Sequence, residues 1–191
     1  EDVVALSRQD CNILDAGRVK EIVAEARPKR IFHLAAQSLP GPSWSNPAET
    51  FRVNGEGALN VLDAVWSAGI DPAIVMVCSS SEYASSLDGR PIKETDAMFP
   101  SSPYAASKLA MDHCAYLYSV RYKLNVLRVR PFFLIGPGKT GDVCSDLARR
   151  VVAVERGEAT DVPVGRLDIV RDFLDVRDGV VHLHGAVPGL A

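Results

Sequence analysis

The sequence lacks the features of a membrane or secreted protein. No stretch approaches the roughly 18 consecutive apolar residues that a spanning helix needs, and no secretory signal pattern opens the chain. Charge of one sign is also lacking, since 21 Lys and Arg stand against 24 Asp and Glu and give a formal charge of −3. This balance does not favour nucleic acid or an anionic membrane as a partner. We therefore expect a soluble, cytoplasmic protein.

Cysteine is scarce, and the four residues are scattered. Cys11, Cys78, Cys114 and Cys144 form no C-x-x-C pair, and no histidine lies at metal-ligand spacing from them. This pattern predicts neither a zinc site nor a disulfide framework, so we expect reduced thiols and no metal. Aromatic residues make up only 7% of the chain, but hydrophobic residues make up 47%, enough for one core of useful size.

Short apolar runs alternate with segments of helical periodicity. Strands are predicted at 3–7, 30–34, 73–78 and 126–129, and helices at 16–27, 46–69, 103–121 and 142–156. Such alternation is typical of an α/β fold, with a parallel sheet covered by helices on both faces. Ligands of these sheets bind beyond the carboxyl ends of the strands. The loops starting at Ser7, Ala35, Ser79 and Pro131 are therefore expected to open onto one crevice.

The first candidate motif is Tyr104-x-x-x-Lys108, which places a phenol and an ammonium one turn apart on a helix. A cation beside a phenol favours the phenolate, so we expect the pKa of Tyr104 to fall toward the working pH of a proton donor. Taken alone, the spacing also fits an exposed pair on a helix surface, because these residue types are common.

Two further motifs follow strands. The turn Ser79-Ser80-Ser81-Glu82 could hold a substrate oxygen beside Tyr104, and the Glu82 carboxylate could act as a base or bind sugar hydroxyls. A plain serine-rich turn is the alternative interpretation. The run 33–37 has small residues that would let a cofactor approach the backbone, although small residues also simply pack, and His33 fits a packed histidine.

The order and strand-end positions of these motifs resemble the extended short-chain dehydrogenase/reductases that act on nucleotide-sugars. The resemblance covers nearly the whole chain and rests on segments 33–37, 53–57, 79–82, 102–108 and 136–138. Within that family, segments 37–38, 43–44, 50–51 and 164–178 are most similar to GDP-4-keto-6-deoxymannose reductases. The resemblance implies a Rossmann-like doubly wound sheet that lacks its first βα unit and most of its C-terminal substrate domain. Residues 1–191 would form one incomplete domain whose substrate-binding part begins near residue 137.

The resemblance also implies a role for individual residues. Tyr104 would be the catalytic acid/base and Lys108 its pKa tuner and ribose ligand, with Ser80 as the hydroxyl partner, or Ser79 if the turn aligns one residue earlier. Glu82 completes the catalytic set, because it matches a proton-removing glutamate of the related dehydratases. The remaining positions are assigned to the cofactor, NADP or NAD (Arg8, Asn12, Ile13, Leu34, Ala35 and Ala36), and to the substrate (Gln37, Ser38 and Arg171).

Two of these assignments also have a physical basis. Arg8 follows the first predicted strand, where a cation can meet an adenosine 2′-phosphate, which favours NADP, although Arg8 fits a solvated side chain as well. Arg171 offers a bidentate guanidinium for a diphosphate. The alternative for Arg171 is a surface ion pair with Asp172 or Asp175.

The sequence departs from the family in two places that bear on function. The Gly-rich phosphate turn that follows the family's first strand is absent, so we expect residues 1–191 alone to bind dinucleotide weakly or not at all. Phe132-Phe133 stands where the family usually has Phe-Asn, which replaces a substrate-facing amide with an aromatic ring.

Three functions are compatible with these residues. The leading hypothesis is an NAD(P)-dependent reductase of the 4-keto group of a GDP-4-keto-6-deoxyhexose, with Tyr104 as proton donor and a nucleotide-sugar as substrate. A nucleotide-sugar 4,6-dehydratase or epimerase of the same family is the first alternative, and a non-catalytic fragment without cofactor is the second. Family members often dimerise through two long helices, here 46–68 and 103–121, so a homodimer is expected.

Overall fold

A three-stranded parallel sheet forms the centre of residues 1–131. Its order is β1 (Arg30–His33), β2 (Ala73–Val77) and β3 (Val126–Val129). The computed structural model describes residues 2–84 and 89–187, which divide into two units, 1–131 and 132–191. Strand β2 lies between its neighbours and is buried along most of its length. A central strand has no solvent-facing side, and this explains its uninterrupted apolar sequence.

The helices that accompany this sheet have ends defined by local signals. The Asp15 and Ser102 side chains accept backbone N–H groups of the first turns of the helices that follow them, and Gly69 ends another helix in the left-handed conformation. A π-helical turn, Arg52–Glu56, joins two of the helices into one longer segment, and a 3₁₀ turn, Ser80–Glu82, follows β2. The helices are α1 (Ala16–Ala26), α2 (Pro40–Ser45), α3 (Pro47–Phe51), α4 (Gly57–Ala68) and α5 (Pro103–Tyr122).

The core of this unit lies on one face of the sheet. Ile74 and Met76 of β2 point into it and are fully buried, and α1, α4 and α5 supply the facing apolar side chains. On the opposite face, Val75 of β2 is buried, whereas its neighbour Phe32 on β1 is 45% exposed. The described helices that build this core therefore cover one face, whereas the sequence predicts helices on both.

Residues 132–191 form the second unit around a two-stranded parallel pair, β4 (Phe133–Ile135) and β5 (Phe173–Asp175). Its helices are α6 (Val143–Glu155) and α7 (Val176–Ala186), whose first turns are capped by Asp142 and Asp175. The Phe133 and Phe173 rings meet edge to face, 5.2 Å apart.

The parallel α/β class is confirmed, but the strand predicted at 3–7 is wrong. This segment has no regular secondary structure and no sheet pairing to any described strand, and Val3 is 85% exposed. A β-branched run becomes a strand only where a neighbour accepts its hydrogen bonds. All four cysteines are free thiols. Over residues 2–84 and 89–187, no helix combines the length and apolarity that crossing a membrane requires.

Candidate active site

Helix α5 presents Tyr104 and Lys108 to the carboxyl end of β2. Both side chains are buried, with 9% and 5% of their residue surface exposed. The Lys108 ammonium donates to the carbonyl of Val77, the last residue of β2, at 2.7 Å. The interpretation of these residues as an exposed helix pair is therefore wrong, because the helix lies with this face against the end of a strand.

The N-terminus of α5 is fixed by α2, a contact that the sequence did not reveal. The Tyr104 backbone N–H donates to the Ser43 hydroxyl at 3.1 Å, and that hydroxyl donates to the Pro40 carbonyl at 2.6 Å. Ser43 is fully buried. It thereby satisfies one of the free N–H groups at the start of the helix and fixes the backbone that carries the phenol.

The environment of Tyr104 shifts its pKa upward, so the expectation of a lowered value is wrong. Burial is the largest cause, and it disfavours the phenolate. The nearby Ser79 hydroxyl lowers the pKa, while electrostatic interactions with Glu82 and Cys78 raise it. Burial likewise lowers the pKa of Lys108. In this structure the group that favours the phenolate is thus the Ser79 hydroxyl.

The turn after β2 places the Ser79 hydroxyl where it lowers the pKa of Tyr104. Ser79 caps the 3₁₀ turn: its hydroxyl accepts the Ser81 N–H at 3.2 Å, and its own N–H donates to Glu82 Oε1 at 2.8 Å. Ser80 is half-buried and anchors the turn through its backbone N–H, which donates to the Pro131 carbonyl. The Ser79 hydroxyl, and not that of Ser80, is the one that lowers the pKa of Tyr104, so the structure favours Ser79 over the predicted Ser80 as the hydroxyl partner.

Glu82 lies inside the protein and has no exposed surface. Its Oε2 is 3.3 Å from Arg130 Nε, an ion pair without hydrogen-bond geometry. Burial first, and then the nearby Asp112 carboxylate, raise the pKa of Glu82 to about 7. This placement contradicts the expected contact with sugar hydroxyls, because a carboxylate that caps a buried turn cannot reach a ligand without leaving its partners.

The loop after β1 is held by a residue that sequence reasoning did not assign. Asn54, in the π-helical turn, accepts the Gln37 N–H at 2.8 Å and donates to the Gln37 carbonyl at 3.1 Å. It also donates to the Ser107 hydroxyl on α5 at 2.8 Å. The signal that could have revealed it is segment 53–57, which contains Asn54 and is one of the segments that carry the family resemblance.

The side chains of this loop differ in exposure. His33 is buried, and burial lowers its pKa to about 4, with Lys108 adding to the effect. Its Nε2 and the Gln37 Oε1 are buried without a hydrogen-bond partner among the described residues. The candidate ligand residues beyond β1 are accessible: Leu34, Ala35 and Ser38 are exposed and Ala36 is half-buried.

The predicted adenine-side residues form the turn that leads into α1. Asn12 is exposed, and Ile13 is held by α4: the Asn60 side chain donates to the Ile13 carbonyl at 2.8 Å. Gly57 permits this approach, since a Cβ there would lie 2.5 Å from Ile13 Cδ1. Arg8 lies exposed in the preceding turn.

Arg171 belongs to the second unit, where it is exposed two residues before β5. The ion pair with Asp175 considered from the sequence is not formed, because Asp175 pairs with Arg177 at 2.7 Å.

Comparison with known proteins adds independent findings. Residues 4–187 match the sequence profile of the family described as GDP-mannose 4,6 dehydratase. The GDP-6-deoxy-D-mannose reductase of Pseudomonas aeruginosa is 34% identical over 154 residues, covering 79% of this chain and 51% of that protein. The human GDP-mannose 4,6 dehydratase is 29% identical over 171 residues, covering 88% and 46%. The chain thus spans about half the length of these relatives.

Solved structures share the fold. RMD from Pseudomonas aeruginosa complexed with NADPH superposes with a TM-score of 0.86 at 30% identity, over 96% of this chain and 62% of that chain. The UDP-glucose 4-epimerase of Thermus thermophilus complexed with NAD gives a TM-score of 0.83 at 28% identity, over 94% and 60%.

Proposed function

The chain belongs to the GDP-mannose 4,6-dehydratase family, and from this membership we propose that the protein is an NAD(P)-dependent oxidoreductase of nucleotide-sugars. The observation that carries the proposal is the convergence of Ser79, Tyr104 and Lys108 at the carboxyl end of β2. Parallel sheets bind ligands at this edge. The relative with 34% identity, a GDP-6-deoxy-D-mannose reductase, favours reduction of the 4-keto group of a GDP-4-keto-6-deoxyhexose.

The residues at this edge fit a dinucleotide. Two small residues, Ala35 and Ala36, follow β1 and leave its backbone approachable, and the buried His33 Nε2 beside them has no hydrogen-bond partner among the described residues. Lys108 and Tyr104 would hold the ribose next to the nicotinamide. On the adenosine side, Asn12 and Ile13 would contact adenine, and Arg8 a 2′-phosphate.

The chemistry at this site is a proton transfer beside a hydride transfer. A reduced nicotinamide, when bound, supplies the hydride. The Tyr104 phenol then donates its proton to the oxygen of the sugar ketone as that oxygen gains charge. The Ser79 hydroxyl would donate its single proton to the same oxygen during the transfer and to the Tyr104 phenolate afterwards, and the burial of both groups would strengthen these hydrogen bonds.

Replacing the phenol tests this assignment. In the protein that contains this chain, Tyr104→Phe is expected to lower kcat by about 10² to 10⁴, the usual contribution of a general acid. Tyr116→Phe is the matched control, since Tyr116 lies on the same helix but is 47% exposed. Full activity of Tyr104→Phe in a fixed-time assay with a GDP-4-keto-6-deoxyhexose would show that the proton has another source.

The two serines of the turn give a second test of the same site. Ser79→Ala removes the hydroxyl that lowers the pKa of Tyr104, whereas Ser80→Ala leaves that hydroxyl in place. We expect kcat to fall with Ser79→Ala and to stay close to the parent value with Ser80→Ala. The reverse order would restore Ser80 as the hydroxyl partner.

A 4,6-dehydratase or epimerase is the second candidate, favoured by relatives with those names at 26–30% identity. The two classes differ in cofactor balance, because a reductase consumes one NAD(P)H for each product whereas the others regenerate theirs. Absorbance of the reduced nicotinamide during turnover separates them. Titration calorimetry with NADPH tests the remaining alternative, a non-catalytic fragment, which micromolar binding to residues 1–191 would exclude.

A homodimer is part of the proposal. Helices α4 and α5 expose apolar side chains, including Trp66, Leu117 and Val120, which are each at least half exposed. Pairing of these helices with a second copy would remove that surface from water. Sedimentation velocity is expected to show a dimer for the parent and a monomer for Leu117→Lys.

A further inference from the structure

The face of helix α5 that carries Tyr104 and Lys108 continues to a third buried residue. Asp112 follows Lys108 by four positions, so all three side chains lie along one side of the helix. Asp112 has no exposed surface. An ionised carboxylate is stable at such a position only if it is paired, and its partners show what this end of the helix is fastened to.

Two arginines from the end of β3 bind the Asp112 carboxylate. Arg130 holds it with a fork, Nε at 2.8 Å from Oδ2 and Nη2 at 3.1 Å from Oδ1. Arg128 Nη1 adds a bond at 2.5 Å to Oδ1. These bonds lower the pKa of Asp112 against the effect of its burial. The carboxylate is therefore ionised and fully satisfied.

Arg130 also reaches the turn after β2. Its Nη1 donates to the Tyr83 hydroxyl at 2.9 Å, and its Nε lies 3.3 Å from Glu82 Oε2. Glu82 Oε1 in turn accepts the Ser79 N–H. The half-buried Arg130 guanidinium thus joins the helix that carries the phenol to the turn that carries the serine.

These contacts close a ring. It runs from Ser79 through Glu82 and Arg130 to Asp112, and back along two turns of α5 to Tyr104. The phenol and the Ser79 hydroxyl are its two ends, and the hydroxyl is near enough to lower the pKa of Tyr104. We propose that Asp112 and Arg130 are positioning residues, which set the distance between the Ser79 hydroxyl and the Tyr104 phenol without touching substrate or cofactor. This inference rests on the proposed function, since it explains how the catalytic pair of that function is held.

The ring depends on the shape of its members as well as on their charge. A lysine at position 130 would keep the positive charge but could not bind both Asp112 oxygens and the Tyr83 hydroxyl. An asparagine at position 112 would keep the shape but lose the charge, which leaves Arg130 with Glu82 as its remaining anionic partner. Either change is expected to loosen the link between α5 and Glu82 and to shift the turn away from the helix.

A double-mutant cycle separates positioning from general destabilisation. Asp112→Asn is expected to lower kcat about 10²-fold, the loss that a misplacement of about 1 Å can cause, with KM for the nucleotide-sugar nearly unchanged. In a Ser79→Ala background the same change should lower kcat by less than about threefold, because the hydroxyl that the ring positions is gone. Independent effects that multiply would overturn the proposal.

The matched control removes a different carboxylate. Asp63 on α4 accepts a hydrogen bond from the Tyr118 hydroxyl and has no contact with the turn at 79–82 among the described contacts. Asp63→Asn should lower the unfolding midpoint without changing kcat. A loss of kcat there that matches the loss in Asp112→Asn would assign both effects to stability and overturn the proposal.

A spectroscopic readout separates failure of the ring from failure of the proposed function. The ionisation of Tyr104 is isolated as the ultraviolet absorbance titration of the parent minus that of Tyr104→Phe. Asp112→Asn should move this titration to higher pH, and so should Ser79→Ala, because the first moves the Ser79 hydroxyl that lowers the pKa of Tyr104 and the second removes it. An unchanged titration in Asp112→Asn overturns the ring. This titration can be measured even if the protein reduces no nucleotide-sugar. If Asp112→Asn does not fold, Arg130→Lys is used in its place.

Discussion

Two buried titratable groups of the first unit are expected to give opposite pH dependences of stability that nearly cancel. The pKa of Glu82 is raised from 4.5 to about 7, mainly by burial, and that of His33 is lowered from 6.5 to about 4, again mainly by burial. Each difference is about 2.5 pH units, and each unit corresponds to about 1.4 kcal/mol, so each group contributes about 3 kcal/mol.

The signs follow from which state binds more protons. Between pH 4.5 and 7 the folded protein keeps the Glu82 proton that the unfolded chain releases. The contribution of Glu82 to the free energy of unfolding is therefore complete below pH 4.5 and is lost as the pH rises to 7. Between pH 4 and 6.5 the unfolded chain protonates His33 and the folded protein does not, so the free energy of unfolding rises with pH there. The sum is a nearly flat profile between pH 4.5 and 6.5.

Substitution of either group should expose the slope of the other. As the pH rises from 4.5 to about 7, the free energy of unfolding of Glu82→Gln is expected to increase by about 3 kcal/mol relative to that of the parent, since only the parent has a carboxylate to ionise. As the pH rises from 4 to 6.5, the free energy of unfolding of His33→Gln should fall by a similar amount relative to that of the parent. Urea unfolding followed by tryptophan fluorescence measures this for the first unit, which contains both Trp44 and Trp66. Parallel parent and Glu82→Gln profiles would refute the reasoning.

Two further substitutions test the framework around the site. Gly57→Ala places a Cβ 2.5 Å from Ile13 Cδ1 and should lower the free energy of unfolding in urea by about 1–3 kcal/mol. Gly55→Ala, which has open space around its Cβ, should leave it unchanged. Equal effects would contradict the close packing of α4 on Ile13. Asn54→Ala leaves the Gln37 N–H and carbonyl without their partner and should cost about 1–3 kcal/mol. Faster amide exchange at Gln37 would accompany that loss, and unchanged exchange would show that the loop is held by other contacts.

Local patterns in the sequence predict most elements of the first unit, because their signals are short-range. Helix α1 ends within one residue of its predicted end before Pro28, and Gly69 stops α4 as expected. The predictions that were wrong concern features that depend on contacts between distant residues. Residues 3–7 have the composition of a strand and no described partner. The predicted helix 46–69 contains a π turn, in which Asn54 bonds to Gln37 and Ser107.

The candidate site divides in the same way. The Tyr104-x-x-x-Lys108 spacing and the serine turn after an apolar strand are visible in the sequence, as are the residues that resemble those of a known family. Whether Ser79 or Ser80 lies near the phenol is a matter of one residue of register in a 3₁₀ turn. In that turn Ser79 is the capping residue, and the buried Glu82, paired with Arg130, accepts its N–H. No local pattern contains this information.

Periodicity and residue chemistry were enough to predict the α/β class, the strand-end position of the motifs and the types of side chain available for proton transfer. The packed molecule was needed to show that Ser79 faces Tyr104, that Glu82 is buried and that Asp112 is joined to the turn through Arg130. These outcomes are set by burial and by pairing between residues that are far apart in the chain. Such interactions shift a pKa or orient a hydroxyl only after the helix and the strand have come together.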